Sequence, residues 1–431
     1  MNLNEMGKNA LAAAYELQKM DTAKKNEILK IAAAAIVAEM ERIIAANEKD
    51  IEAATKKDMH PALIDRLKLD EDRIKGMAEG LQEVIALPDP VGELLDDYTR
   101  PSGLHIRKIR VPLGVIGIIY ESRPNVTVDA FGLCIKSGNA VILKGGSEAI
   151  NSNREIVNII RAAIADGHNP DILQIIDSTD RAVTAEFMKL NQYIDVLIPR
   201  GGAGLIQTVL ENSTIPVIET GTGNCHIYVD ESADIAKAIA IIVNAKTQRP
   251  GVCNACESLV VHEKVLYELL KGLVTSLSPF GVKLCADEAG IRALAKMRST
   301  DFTHATGDIH NFFDRVIIAT EEDFAAEYLD YILSLKTVAN VGEAIKHVNR
   351  YNTKHSDAII AADEAAIARF ANEVDAACVY INTSTRFTDG NIFGLGAEIG
   401  ISNQKLHARG PMGLSQLTSY KYVVESDYLS R

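Results

Sequence analysis

The chain has 431 residues, 47% of them hydrophobic and 24% charged, which is too long for one ordinary core and normal for a soluble globular protein, so two or three domains are expected. A formal net charge of −13 at pH 7 sets the surface against phosphate backbones and argues against nucleic acid, while an anionic cofactor can still bind at helix termini and single basic residues. No apolar run is long enough to span a bilayer, the first residues lack a signal-peptide pattern, and the cysteines at 134, 225, 253, 256, 285 and 378 are scattered rather than framed as disulfides; no membrane partner and a cytoplasmic location are expected.

Residues 1 to about 87 read as helical. Asp21 can cap a helix whose apolar positions, Ile28, Ile31, Ala32, Ala35, Ile36, Met40 and Ile43, follow the helical period. His60-Pro61 and Leu87-Pro88-Asp89-Pro90 punctuate this region. From Leu104 to Arg110 apolar and polar residues alternate, as in a half-exposed strand, and 114–120 is a buried-strand run.

Strand-like and helix-like segments then take turns: strands at 140–143, 172–176 and 194–198, with helices at 148–165, near 180–189 and at 202–210. A second series follows, with strands at 258–262, 315–319, 358–361 and 377–381, a helix at 341–350, and a last strand at 417–424. Such alternation predicts parallel sheets wrapped by helices, an α/β fold.

The segment Thr247-Gln248-Arg249-Pro250-Gly251-Val252-Cys253-Asn254-Ala255-Cys256 joins a helical stretch to a strand. Pro and Gly force a sharp loop there, and a thiol on such a loop is open to activation by nearby positive charge or unpaired backbone N–H groups. Two other readings stand beside the nucleophile. Cys253 can be a small buried apolar residue, or it can join Cys256, Cys225 and His226 in a zinc or redox site.

The stretch 248–255 resembles the nucleophile loop of the γ-glutamyl phosphate reductase family, a branch of the aldehyde dehydrogenase superfamily. So do Val111-Pro112-Leu113-Gly114-Val115-Ile116-Gly117, Tyr120-Glu121-Ser122-Arg123-Pro124-Asn125-Val126 and Glu219-Thr220-Gly221-Thr222-Gly223-Asn224-Cys225-His226. The resemblance runs from near the start to the Tyr420 region. It implies an aldehyde-dehydrogenase-like fold: a Rossmann-like cofactor domain with a helical N-terminal segment (1–98 and 111–230), an α/β catalytic domain carrying Cys253 (231–390), and a β-arm for oligomerisation (99–110 and 400–431). It implies reduction of L-glutamate 5-phosphate by NADPH to the 5-semialdehyde, with release of phosphate and NADP+. This is the second step from glutamate to proline. A homodimer or homotetramer and association with a glutamate kinase are partner expectations. The family commonly has Ala where this chain has Cys256, so the resemblance implies no metal.

Residue roles follow from the resemblance. Cys253 is the nucleophile, Asn125 a donor to the oxyanion beside the Cys253 backbone N–H, and Glu219 a carboxylate near the site. Alternatively Asn125 is a turn or cap residue, and Glu219 a carboxylate satisfied by loop N–H groups, or the hydrolytic base of a non-phosphorylating aldehyde dehydrogenase. Lys144, Gly145, Gly146 and Ser147 end a strand where the superfamily holds the adenosine ribose. With Glu148 coming only after them, NADPH is favoured over NADH. Arg200, Gly201 and Gly202 form a second glycine turn, and Glu327 matches the glutamate placed on the nicotinamide ribose. Arg249, Arg386 and His355 are the candidates for the substrate's anionic groups.

Overall fold

The computed structural model describes residues 2–430. The chain divides by its own packing into two units: one holds everything up to Thr220 with Gly390–Gly400 and Leu406 onward, the other Gly221–Asp389 with Ile401–Lys405.

The first unit begins with the helices Leu3–Leu17, Thr22–Ala38, Met40–Lys56, Pro61–Leu67 and Glu71–Ala86. Asp21 caps the second, its carboxylate accepting from the Lys24 N–H at 2.9 Å. Of the expected apolar stripe, Ile28, Ala32, Ile36 and Ile43 are buried, while Ile31, Ala35 and Met40 pack against that core from its margin. Burying each of the isoleucines contributes about 1.5–3 kcal/mol.

A four-stranded parallel sheet follows, in spatial order Leu173–Ile175, Ala140–Gly145, Val115–Tyr120, Val196–Arg200. Every residue of Val115–Tyr120 is buried, as expected for a strand covered on both faces. The chain moves from this strand to one side and then returns to its other side. The carboxyl ends of Val115–Tyr120 and Val196–Arg200 therefore flank a switch point, the crevice where open α/β sheets bind ligands. A separate antiparallel sheet, Leu94–Thr99, His105–Pro112 and Thr418–Glu425, forms an arm.

The second unit is built on a seven-stranded parallel sheet, in spatial order Val316–Ile318, Lys283–Ala286, Ile332–Val338, Cys256–His262, Cys225–Val229, Ser356–Ile360, Cys378–Ile381. Cys256–His262 is buried throughout at its centre. The helix Ile235–Thr247 leads into the cysteine loop, and the loop feeds that central strand. Lys246, at the helix end, meets Glu257, on the strand, across 2.5 Å with both side chains fully buried. This pair fixes both ends of the loop's support. No helix among the described residues is long and apolar enough to cross a membrane.

Candidate active site

Within the second unit the cysteine loop rests against a wall of backbone and buried side chains. A Cβ at Gly223 would come within 1.5 Å of the Cys253 carbonyl oxygen, so only glycine lets the two segments approach this closely. The Cys225 thiol, fully buried, donates to that same carbonyl at 3.1 Å. Burial pushes the Cys225 thiol well up, so it stays a neutral donor and is no rival nucleophile. Cys253 itself is half-buried. Cys256, by contrast, starts the fully buried central strand, and its thiol faces the Ser258 carbonyl at 3.5 Å.

The residue after Cys253 is held by several hydrogen bonds. Asn254, 6% exposed, donates through Nδ2 to the Thr388 carbonyl at 2.9 Å and to the Arg386 carbonyl at 3.3 Å. Its own carbonyl accepts from Thr385 Oγ1 at 2.7 Å, and its Oδ1 accepts from Arg386 Nη1. Sequence reasoning missed Asn254, because its partners lie more than 130 residues away in the chain.

Glu327 is half-buried, and its Oε1 accepts from the Gly223 N–H at 2.6 Å. Burial raises its carboxyl above the ordinary range, against the pull of that N–H. The turn carrying it is fixed by Glu257, whose Oε1 accepts from the Leu329 N–H at 3.2 Å; Leu329 holds a left-handed φ of 53°. Among the expected anion contacts, Arg249 is exposed and Arg386 half-buried. His355 is fully buried, and burial pushes its imidazole down to about 4. Burial thus favours the neutral ring, which offers no positive charge to an anion. Its Nδ1 instead faces Ser356 Oγ at 2.8 Å and the Cys225 thiol at 3.8 Å.

In the first unit, Asn125 is exposed at the start of the helix Asn125–Lys136, and its amide donates to Asp129 at 3.0 Å. Burial raises Asp129 to about 6, against the pull of Asn125 and Arg200. Glu219 is half-buried close to the end of this unit. Lys144 is buried at its strand end, its ammonium donating to the Gly145 carbonyl at 2.8 Å; burial lowers its pKa, with Glu148 opposing. Ser147 is exposed just beyond.

Two carboxylates stand at backbone donors of this region. Glu121 accepts from the Gly202 N–H at 2.9 Å, at the start of the helix Ala203–Asn212. Glu148 accepts from the Ser122 N–H at 2.6 Å and its hydroxyl at 2.8 Å. The helix Ile150–Ile164 is different: Asp50 accepts from the N–H groups of Asn151 and Ser152 and closes its start. A Cβ on Gly201 would meet the Glu121 carboxylate at 2.4 Å, and one on Gly146 the Glu148 carboxylate at 2.2 Å. These backbone donors suit anionic oxygens, and a cofactor phosphate would take the place of the carboxylates now on them, with Lys144 beside it.

The sequence model of the aldehyde dehydrogenase family matches residues 1–290. The chain belongs to that family. A nicotinamide cofactor and oxidoreductase chemistry come with the membership. The chain is 53% identical over 424 residues to a γ-glutamyl phosphate reductase of Lachnospira eligens, covering 98% of both chains. It is 53% identical to one of Enterococcus faecalis, covering 98% of this chain and 97% of the other. The crystal structure of γ-glutamyl phosphate reductase from Thermotoga maritima superposes with a TM-score of 0.92 at 46% identity, covering both chains completely. An acetylating aldehyde dehydrogenase from Geobacillus thermoglucosidasius, at 17% identity and a TM-score of 0.68, shares the fold.

Proposed function

We propose that the protein reduces L-glutamate 5-phosphate to L-glutamate 5-semialdehyde with release of phosphate, using NADPH, as the second step from glutamate to proline. The observation that carries the reading is the loop of Cys253: a half-buried thiol on a Pro-Gly turn, with the Cys253 carbonyl packed on Gly223 and its neighbour Asn254 tied through its side-chain amide and its carbonyl. The names and 53% identity of the relatives support the substrate.

In this mechanism the Cys253 thiolate attacks the γ-carbonyl carbon. The oxyanion is held by the Cys253 backbone N–H, with the Asn125 amide as second donor. The carbonyl re-forms as the C–O bond to phosphate breaks, leaving a thioester on Cys253. Lys144, Ser147 and the turn Arg200-Gly201-Gly202 would hold the cofactor's phosphates, and Glu327 its nicotinamide ribose. When bound, that cofactor supplies a hydride to the acyl carbon. The tetrahedral carbon then collapses to the aldehyde, and the thiolate leaves and is restored. Glu219 has no proton to move in this scheme, since water must not reach the thioester. Arg249, exposed beside the loop, is placed for a substrate anion.

The preference for NADPH over NADH is supported by Glu148, whose carboxylate is engaged by Ser122. Gly145, Gly146 and Ser147 come before Glu148 in the chain, and none of them would repel a 2′-phosphate. We further propose that a second copy of the chain covers the arm. All of Leu94–Thr99 is exposed, and Tyr420, Tyr422 and Val424 present apolar surface on the opposite edge strand. Association with a glutamate kinase, which would hand on an unstable acyl phosphate, belongs to the same proposal, as does a cytoplasmic site of action.

The test is turnover in the oxidative direction with glutamate 5-semialdehyde. Oxidation should require inorganic phosphate and proceed faster with NADP+ than with NAD+. A rate indifferent to phosphate would instead support hydrolysis of the thioester with Glu219 as base.

A further inference from the structure

Arg386 stands out among the basic residues beside Cys253 because two of its three guanidinium nitrogens are committed to the ends of that loop. Its Nη1 donates to Asn254 Oδ1, and its Nε donates to Gln248 Oε1 at 3.1 Å. Gln248 is the residue that ends the helix Ile235–Thr247, and Asn254 is the residue just after Cys253. One planar guanidinium therefore bridges the two ends of the loop 249–253. The rest of its turn holds Asn254 alone: the Arg386 and Thr388 carbonyls accept from Asn254 Nδ2, and the Thr385 hydroxyl donates to the Asn254 carbonyl.

We propose that Arg386 is a positioning residue of the nucleophile, stapling Gln248 to Asn254 across the Cys253 loop, rather than a contact for the substrate's anionic groups. The inference rests on Cys253 being the nucleophile. A fork of rigidly spaced donors suits this bridge, since a lysine offers a single point and cannot reach both amide oxygens in one plane. The loop between the two anchors contains Pro250 and Gly251, and the anchors leave it little freedom to tilt the thiol. The staple also holds a cation near the sulfur. The charged and titratable groups acting on Arg386 are Arg249, Cys253, Asp389 and Cys225; burial and Arg249 lower its pKa, while Cys253, Asp389 and Cys225 work the other way. A cation held beside a thiol favours its thiolate form as a general rule, and the pH profile of alkylation reads whether the guanidinium does this for Cys253.

The experiment uses the full-length protein with Arg386→Lys, Arg386→Gln and Gln248→Ala. Two quantities are read for each: the rate of Cys253 alkylation by iodoacetamide across pH, located by peptide mass, and kcat and KM for glutamate 5-semialdehyde with NADP+ and phosphate. Iodoacetamide is small and neutral, so it reports on the thiol and not on anion binding. The staple predicts that both Arg386 variants alkylate more slowly at pH 7, with the profile moved to higher pH. It also predicts that kcat falls by about tenfold to a hundredfold, the cost of misplacing a reacting group, while KM stays within about threefold. Gln248→Ala, at an exposed position, should fold normally and show the same changes in smaller measure. A KM that rises steeply with an unchanged alkylation profile would make Arg386 a substrate contact and overturn the proposal, as would wild-type values throughout. If Cys253 were not the nucleophile, Cys253→Ala would retain turnover, whereas alkylation would still report whether the staple exists.

Discussion

Gly223 and Cys253 come from segments thirty residues apart, yet the carbonyl of the second occupies the space where a side chain on the first would sit. Gly223→Ala must push the nucleophile loop away, because the obstacle is backbone rather than a movable side chain. Over-packing of this kind costs about 1–3 kcal/mol, and a displaced nucleophile costs about a hundredfold in rate. Chemical denaturation and kcat together check this; a variant with wild-type kcat would show that the loop tolerates the shift. The glycines of the E-T-G-T-G-N-C-H motif were visible in the sequence, but the reason for Gly223 was not, since nothing local says which backbone will lie on it. The same holds for His355. As a residue type it reads as a cation, and only its complete burial makes it neutral.

At the scale of elements, the Lys246–Glu257 pair joins the helix before the loop to the strand after it and, through Leu329, steadies the turn that presents Glu327. Burial pushes the Glu257 carboxyl up and Lys246 pulls it down, so the carboxylate depends on the lysine beside it. Lys246→Met strands the carboxylate in the core and should destabilise the protein by about 3–5 kcal/mol. Exchanging both partners, Lys246→Met with Glu257→Leu, should recover a large part of that loss in stability while KM for the cofactor stays raised. A double variant no more stable than the single would contradict this account of the pair. Helix caps and buried parallel strands were readable from local pattern: Asp21 caps as expected, and Val115–Tyr120 is the apolar run it resembled. Four strands of the arm and the seven-stranded sheet escaped notice: Cys225–Val229 and Ile332–Val338 carry apolar, β-branched residues that could have been read, whereas the other two lacked a pattern. Leu94–Thr99 is exposed along its length and carries two adjacent aspartates, and Lys283–Ala286 is only four residues long.

For the whole molecule, the division between units falls at Thr220–Gly221, inside a glycine-rich motif and not at any change of composition. That is why parallel sheets wrapped by helices could be foreseen from alternation while the boundary could not. The arm is the other whole-chain feature. Its middle strand, His105–Pro112, and its last, Thr418–Glu425, lie more than 300 residues apart in the chain, yet they pair along their full length. Tyr422→Asp with Val424→Asp places charge on that exposed edge, and light scattering should then record a smaller assembly than for the unaltered chain. An unchanged mass would remove the arm from the interface.

Cys253 carries the proposed chemistry. The measurement that reaches it directly is phosphate-dependent reduction of NADP+ by glutamate 5-semialdehyde in purified Cys253→Ala, with its thermal midpoint compared with that of the unaltered protein. The prediction is a folded variant whose turnover has fallen by at least about a thousandfold, as removal of a covalent nucleophile requires. A folded Cys253→Ala that kept a tenth or more of the activity, by order of magnitude, would contradict it.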